Sequence, residues 1–251
     1  MNTPVKETKE NSTDKDIGFH AITLTGFSID GAKVPRGIVS EGGSEITFRP
    51  MRIKSFYVHD DQIGPFARME WLDDDTLSTS WHCLEKRQIQ AIPDSLIIPL
   101  TSKIRIPYDT VEKAIVEINQ LINLYVKQRN GAPVEWEIRL DTVNNLKAEI
   151  IDDPVIVPEE RKRLLTRHMP KHLWRAIAWL GGKDHSLTNH LEFLVDATAL
   201  QQEGGLVDVI TRNDFLVSAF AQSLQQPTIN ASLISPQFSP LTRQICRVFQ
   251  S

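Results

Sequence analysis

RKRLLTRHMPKHLWRAIAWLGGKDHSLTNHLEFLVDATALQ, residues Arg161 to Gln201, is the stretch on which the reading of this chain turns. From Arg161 to Lys183 it holds seven Lys/Arg and no Asp or Glu, inside a chain whose formal net charge is -4. Outside that block the remaining 21 basic residues face 32 acidic ones. A positive block on a negative molecule is the electrostatic footprint of a polyanion-binding surface, because neutralised phosphates release their condensed counterions. A solvated helix face is the alternative for any charge run.

The order of elements within the stretch favours the first reading. Arg163 to Met169 is compatible with an extended strand and is closed by Pro170, which suits the first turn of a helix. In HLWRAIAWL, Leu173, Ile177 and Leu180 share a helical face, with Trp174 and Ala178 beside them. Gly181 and Gly182 then act as a stop, and Ser186 is a suitable N-cap for a second helix carrying Leu187, Leu191, Leu194, Val195 and Thr198 at three-to-four spacing. The stretch therefore predicts strand, helix, tight turn, helix.

This order resembles the ribbon-helix-helix DNA-binding superfamily, carried by LTRHMPKHL, GGKDHS and LTNHLEFLVDATAL. The resemblance covers about a sixth of the chain. It implies a homodimer in which two strands pair as an antiparallel ribbon and enter the major groove of duplex DNA. The implied dimer core is Leu165, Met169, Leu173, Ile177, Leu191, Leu194 and Val195. Alternation by two from Pro170 presents Thr166 and His168 to the bases, while a one-residue slip presents Arg163 and Arg167 instead, and both registers stay open. Ser186, Leu187 and Thr188, at the start of the second helix, would hold a phosphate by free backbone N–H groups. Lys162, Lys171, Arg175 and Lys183 would add nonspecific attraction. The size and layout of the whole chain are similar to the AcaB-like transcriptional activators of conjugative plasmids, which implies activation of transfer genes, with RNA polymerase or a second regulator as a further partner.

Two rival readings compete for the same region. PEERKRLL from Pro158 is a good helix start with acids in its first turn, and a helix persisting through His168 would abolish the ribbon. PVEWEIRLD, with TVNNLKAEII behind it, is a second ribbon candidate, but its outward face would carry Glu135 and Glu137, which phosphates repel.

The composition, 41% hydrophobic and 24% charged in 251 residues, is that of a globular chain with one large or two small cores. Cys83 and Cys246 lie far apart and fit reduced thiols in the cytoplasm better than a disulfide framework. No apolar stretch approaches the length of a membrane span.

In chain order, residues 1–17 are expected to be a disordered tail and 18–107 a β-rich domain. The latter contains FHAITLTGF, EITFRPMRIKSFYV interrupted by Pro50, and SLIIPLTSKIRIP. Residues 108–160 would connect it through a helix, a strand and a helix. The first of these has a stripe of Val111, Ile115, Ile118, Ile122 and Val126. Residues 161–203 would form the DNA-binding module and 204–251 a helical extension.

Enzymatic motifs are sparse. His59-Asp60-Asp61 superficially resembles a phosphohydrolase metal dyad, His168 and His172 are split by Pro170, and Glu135, Glu137 and Asp141 suggest at most a nuclease-like cluster on a solvent-facing strand. Asp73 to Asp75 read as a solvated turn. Neither a catalytic residue, a metal nor a cofactor is expected. The chain is thus expected to be an α+β protein and a sequence-specific, duplex-DNA-binding transcriptional activator. The alternatives are an RNA- or single-strand-binding assembly protein of a mobile element and, behind it, a metal-dependent nuclease.

Overall fold

In the computed structural model the described residues are 2–9, 12–33, 36–39, 45–49, 51–72, 76–82, 88–128, 133–154, 156–181, 190–200, 203–225 and 238–250. The protein is mixed α+β. Its strands are β1 (Asn2–Lys9), β2 (Ser12–Ala21), β3 (Thr23–Lys33), β4 (Arg36–Val39), β5 (Glu45–Phe48), β6 (Met51–Asp60), β7 (Gly64–Glu70), β8 (Leu77–His82), β9 (Gln88–Ala91), β10 (Val134–Thr142), β11 (His172–Leu180), β12 (Leu191–Asp196) and β13 (Leu206–Thr211). The helices are α1 (Tyr108–Gln128), α2 (Val143–Asp152), α3 (Pro158–Thr166), α4 (Asp214–Leu224) and α5 (Pro240–Val248). The chain divides into one unit of residues 1–34 and 51–100, and a second of 35–50 and 101–251.

The first unit is all β. One sheet runs β2-β1-β9-β8 and the other β3-β6-β7. Both contribute to a single core of Ile22, Phe56, Val58, Met69, Leu77, Trp81 and Ala91. Residues 2–9 are not the expected disordered tail. They pair with β2 on one side and with β9 on the other, Val5 opposite Ala91 and Glu7 opposite Ile89. The ladder supplied by a distant strand orders a segment whose composition alone argues for disorder. The run 95–107, also expected to be extended, contains no regular strand. Leu96, Ile97, Ile98 and Leu100 are exposed, because sheet formation needs a paired neighbour as well as a β-prone composition.

The second unit is a mixed sheet in the order β13-β12-β11-β10-β5-β4, antiparallel except where β10 meets β5. Here the structure corrects two boundaries. EITF and the MRIKSFYV after it, one interrupted run in the sequence, are β5 and β6 of different units. The chain leaves the first unit after β3, adds the β4–β5 hairpin to the second sheet, and returns.

The larger correction concerns residues 161–200. The helix Pro158–Thr166 takes the first four residues of the expected ribbon strand, Arg163–Met169. Pro158 at the helix start and Glu159 and Glu160 in its first turn favour helix there. Conversely His172–Leu180, expected to be a helix, is a central strand paired along its length with β10 and with β12. Trp174, Ala176, Ala178 and Leu180 join the core under α1, while Leu173 turns to the opposite face. A strand buried on both faces is apolar almost throughout, and a continuous apolar run matches a helical stripe as readily as an alternating one. β12 repeats the case, with Leu191, Phe193 and Val195 on one side and Leu194 on the other.

Gly181 is not a helix stop. Its N–H donates to the Pro133 carbonyl at 2.8 Å, and a Cβ there would lie 2.6 Å from that oxygen. Close backbone approach is what requires the glycine.

The residues assigned to a dimer core are accounted for within one chain. Leu191 and Val195 lie in the α1-side core, Met169, Leu173 and Leu194 in the core under α2 and α3 with Leu165 partly buried against it, and Ile177 is buried in the sheet. No open apolar face is left among these residues for a second copy to cover.

α1 packs on the first face of this sheet, with α4 and α5 against it. Trp136 Nε1 donates to Asn119 Oδ1 at 2.9 Å, and Trp174 Nε1 donates to the Ile106 carbonyl at 2.8 Å, so both buried indoles tie the sheet to its cover. Among the described residues no helix is long and apolar enough to cross a membrane. Cys246 is buried and unbridged, and burial, reinforced by Glu117, pushes its thiol up to about 12.

Candidate nucleic-acid interface

The basic block that opened the sequence splits into an exposed part and a buried part. The exposed part is the corner where α3 ends and the chain turns into β11. Leu164 and Met169 anchor it in the core, leaving Lys162, Thr166, Arg167, His168 and Lys171 exposed. Lys162 and Thr166 are four apart and share a helix face, and the Thr166 hydroxyl donates back to the Lys162 carbonyl at 2.8 Å.

Lys147 of α2, which nothing in the sequence distinguished, holds this corner in place. Its ammonium donates to the carbonyls of Leu165 at 2.7 Å and Arg167 at 3.3 Å, satisfying acceptors at the helix end. Arg167 donates to the Val207 carbonyl at 2.6 Å and pairs with Asp208 at 3.1 Å. Arg163, half-buried, bonds both Glu160 and Asp208 at 2.6 Å. Those bonds raise its already high pKa and lower that of Glu160. Arg163 and Arg167 therefore brace α3 against the edge strand β13, and Lys162 and Lys171 have no ion-pair partner among the described residues.

Arg175 does not belong to this surface. It is 2% exposed and lies on the sheet face beneath α2. Its guanidinium bonds Glu192 at 2.5 Å, Glu149 at 2.7 Å and Asp141 at 2.9 Å, while Arg139 bonds Glu149 at 2.8 Å. His190 Nε2 lies 3.3 Å from Glu192 Oε2. Burial alone would depress Arg175, but Glu192 and Glu149 more than offset it. A void of about 10 Å³ is left among these groups, room for no more than one water, so the network braces α2 on the sheet and is no substrate cavity. Lys183, Ser186, Leu187 and Thr188 lie outside the described residues, as do Asp73 to Asp75 and Cys83.

The carboxylates that hinted at a nuclease are likewise committed. Glu135 and Glu137 are buried on a central strand, not solvent-facing, and they face Arg49 at 3.2 Å and Arg139 at 3.8 Å. Asp141 faces Arg175.

Glu192 makes the network sensitive to acid. Burial by itself would push its carboxyl up, but hydrogen bonds from His190 and Arg175 pull it down to about 2 from an ordinary 4.5. A depressed folded-state pKa contributes stability above pH 4.5 that is lost as pH falls toward 2, amounting to about 3 kcal/mol. Urea titrations at stepped pH should show that loss in the wild type and a flatter profile in Glu192→Gln. Identical pH profiles would refute the assignment.

The chain matches no protein-family model, no curated protein and no solved structure. The described residues make a mixed α+β protein with an exposed cationic corner braced by ion pairs to the edge strand β13.

Proposed function

We propose that the protein is a duplex-DNA-binding transcriptional regulator that meets DNA with the corner formed by the end of α3 and the turn into β11. The observation that carries this is the exposure of Lys162, Thr166, Arg167, His168 and Lys171 within ten residues of an otherwise acidic chain. Lys162 and Lys171 contact phosphates, and Thr166 and His168 reach base edges in the major groove, which admits a helix such as α3. The paired ribbon is not part of this mechanism, since the strand that follows the corner already has neighbours on both edges. One chain supplies the whole surface. The biological setting implied by the AcaB-like resemblance, activation of conjugative-transfer genes in the cytoplasm through RNA polymerase or a second regulator, is carried into the proposal.

Duplex is preferred over single strands because single-strand binders stack bases on exposed aromatics. Trp174 and Trp179, the nearby candidates, are buried.

Lys162→Ala with Lys171→Ala tests the reading by fluorescence anisotropy across a salt series. Both side chains are exposed, so folding is preserved. Affinity for any duplex is expected to fall, and the slope of log K against log salt to shrink by about 2. Thr166→Ala should instead flatten the preference for selected over random duplex. Unchanged affinity and slope in the double variant would remove the interface.

A further inference from the structure

We propose that His20, Asp60 and Asp61, all in the first unit, form a binding site for one divalent transition-metal ion, with zinc the best fit. The proposal is independent of the DNA-binding corner, which lies in the other unit.

The sequence offered His59 beside the two aspartates, and the strand pleat separates them. Along β6, Val58 and Asp60 point inward while His59 points out, and His59 lies edge-on to Phe66 at 5.0 Å. The imidazole beside the carboxylates comes from the end of β2. His20 Nε2 lies 3.3 Å from Asp60 Oδ2 and 3.2 Å from Asp61 Oδ1, and the three ligand atoms are mutually within 4.8 Å.

Those separations suit a shared ion. Bonds of 2.0–2.1 Å at tetrahedral angles place ligand atoms about 3.3 Å apart. The two oxygens of Asp60 have different tasks. Oδ1 accepts from the backbone N–H groups of Gln62 at 2.7 Å and Ile63 at 3.1 Å, which fixes the carboxylate in the β6–β7 turn. Oδ2 is buried on a side chain only 1% exposed and accepts no hydrogen bond among the described residues, yet it faces His20. A buried carboxylate oxygen in that position is costly unless a charge meets it.

Trp81 packs edge-on against the His20 ring at 4.9 Å and holds its orientation. The Asp61 side chain is 79% exposed, so an ion can enter from solvent and a fourth position stays open to water. One imidazole nitrogen with two carboxylates favours zinc and its first-row neighbours over magnesium or calcium, which prefer oxygen alone.

The test is titration of the metal-stripped full chain with zinc chloride, followed calorimetrically and by thermal melting, with magnesium chloride as the comparison. The expected result is one zinc bound per chain, a rise in Tm with zinc alone, and affinity lowered about tenfold or more in Asp61→Asn. That exposed side chain can be changed without disturbing the core. Asp60→Asn keeps the Oδ1 acceptor for the turn and is expected to lose zinc as well. No uptake by the wild type, equal uptake by the wild type and Asp61→Asn, or magnesium binding as tightly as zinc would each overturn the site.

Discussion

Arg175→Ala is expected to destabilise the second unit by about 3–5 kcal/mol, the usual cost of removing one partner from a buried ionic network. The guanidinium is the only cation among the described residues that touches Glu192, Glu149 and Asp141 together. Without it, Glu192 is a buried carboxylate left with His190 alone as a counter-group. Tryptophan fluorescence during thermal melting should report a drop of about 10 °C for a unit of this size. Pairing the change with Glu192→Gln should recover part of the loss, because the stranded charge goes too. The same variant separates two views of Arg175. A DNA-contacting arginine would cost affinity and spare stability; unaltered melting with weakened DNA binding would refute the buried network.

Phe193→Ala should cost a similar amount, about 3–5 kcal/mol, through the cavity left behind. Phe193 is fully buried on β12. Its ring stacks on Trp136 with centroids 6.1 Å apart and meets Phe220 and Phe249 at 6.5 and 6.4 Å. Three elements, β10, α4 and the end of α5, converge on it. The resemblance to a ribbon-helix-helix unit places Phe193 in the second helix of a homodimer. Had a second copy covered it, the variant's loss of stability would depend on protein concentration. The single-chain core predicts a loss that is the same at every concentration, which denaturation at two widely spaced concentrations checks.

The parts of this fold that were legible are those with a distinct period and clear ends. The stripe Val111, Ile115, Ile118, Ile122 and Val126 predicts α1, and all five are buried beneath it. In Val134 to Leu140, strict alternation predicts β10, although the acidic face expected to meet water is buried against arginines. Period failed for His172–Leu180 and Leu191–Asp196. With both faces covered, there is no polar side to reveal a period of two, and incidental three-to-four spacings fill the gap. Pro170 and Gly181 strengthened the error, since one resembles a helix start and the other a helix stop. The candidate sites divide in the same way. Lys162 and Lys171 were visible as charges, but nothing in the sequence marked Arg175 as buried or placed His20 beside Asp60.

By itself, then, the sequence determined the charge segregation, the α1 helix and the mixture of helix and strand, because these depend on residues within a few positions of one another. Tertiary structure alone decided that residues 172–180 are a central strand, that residues 2–9 are ordered by β9, and which cations face solvent. Each of those outcomes rests on partners tens of residues away or more, and backbone pairing with a distant strand can override the local preference of any short segment.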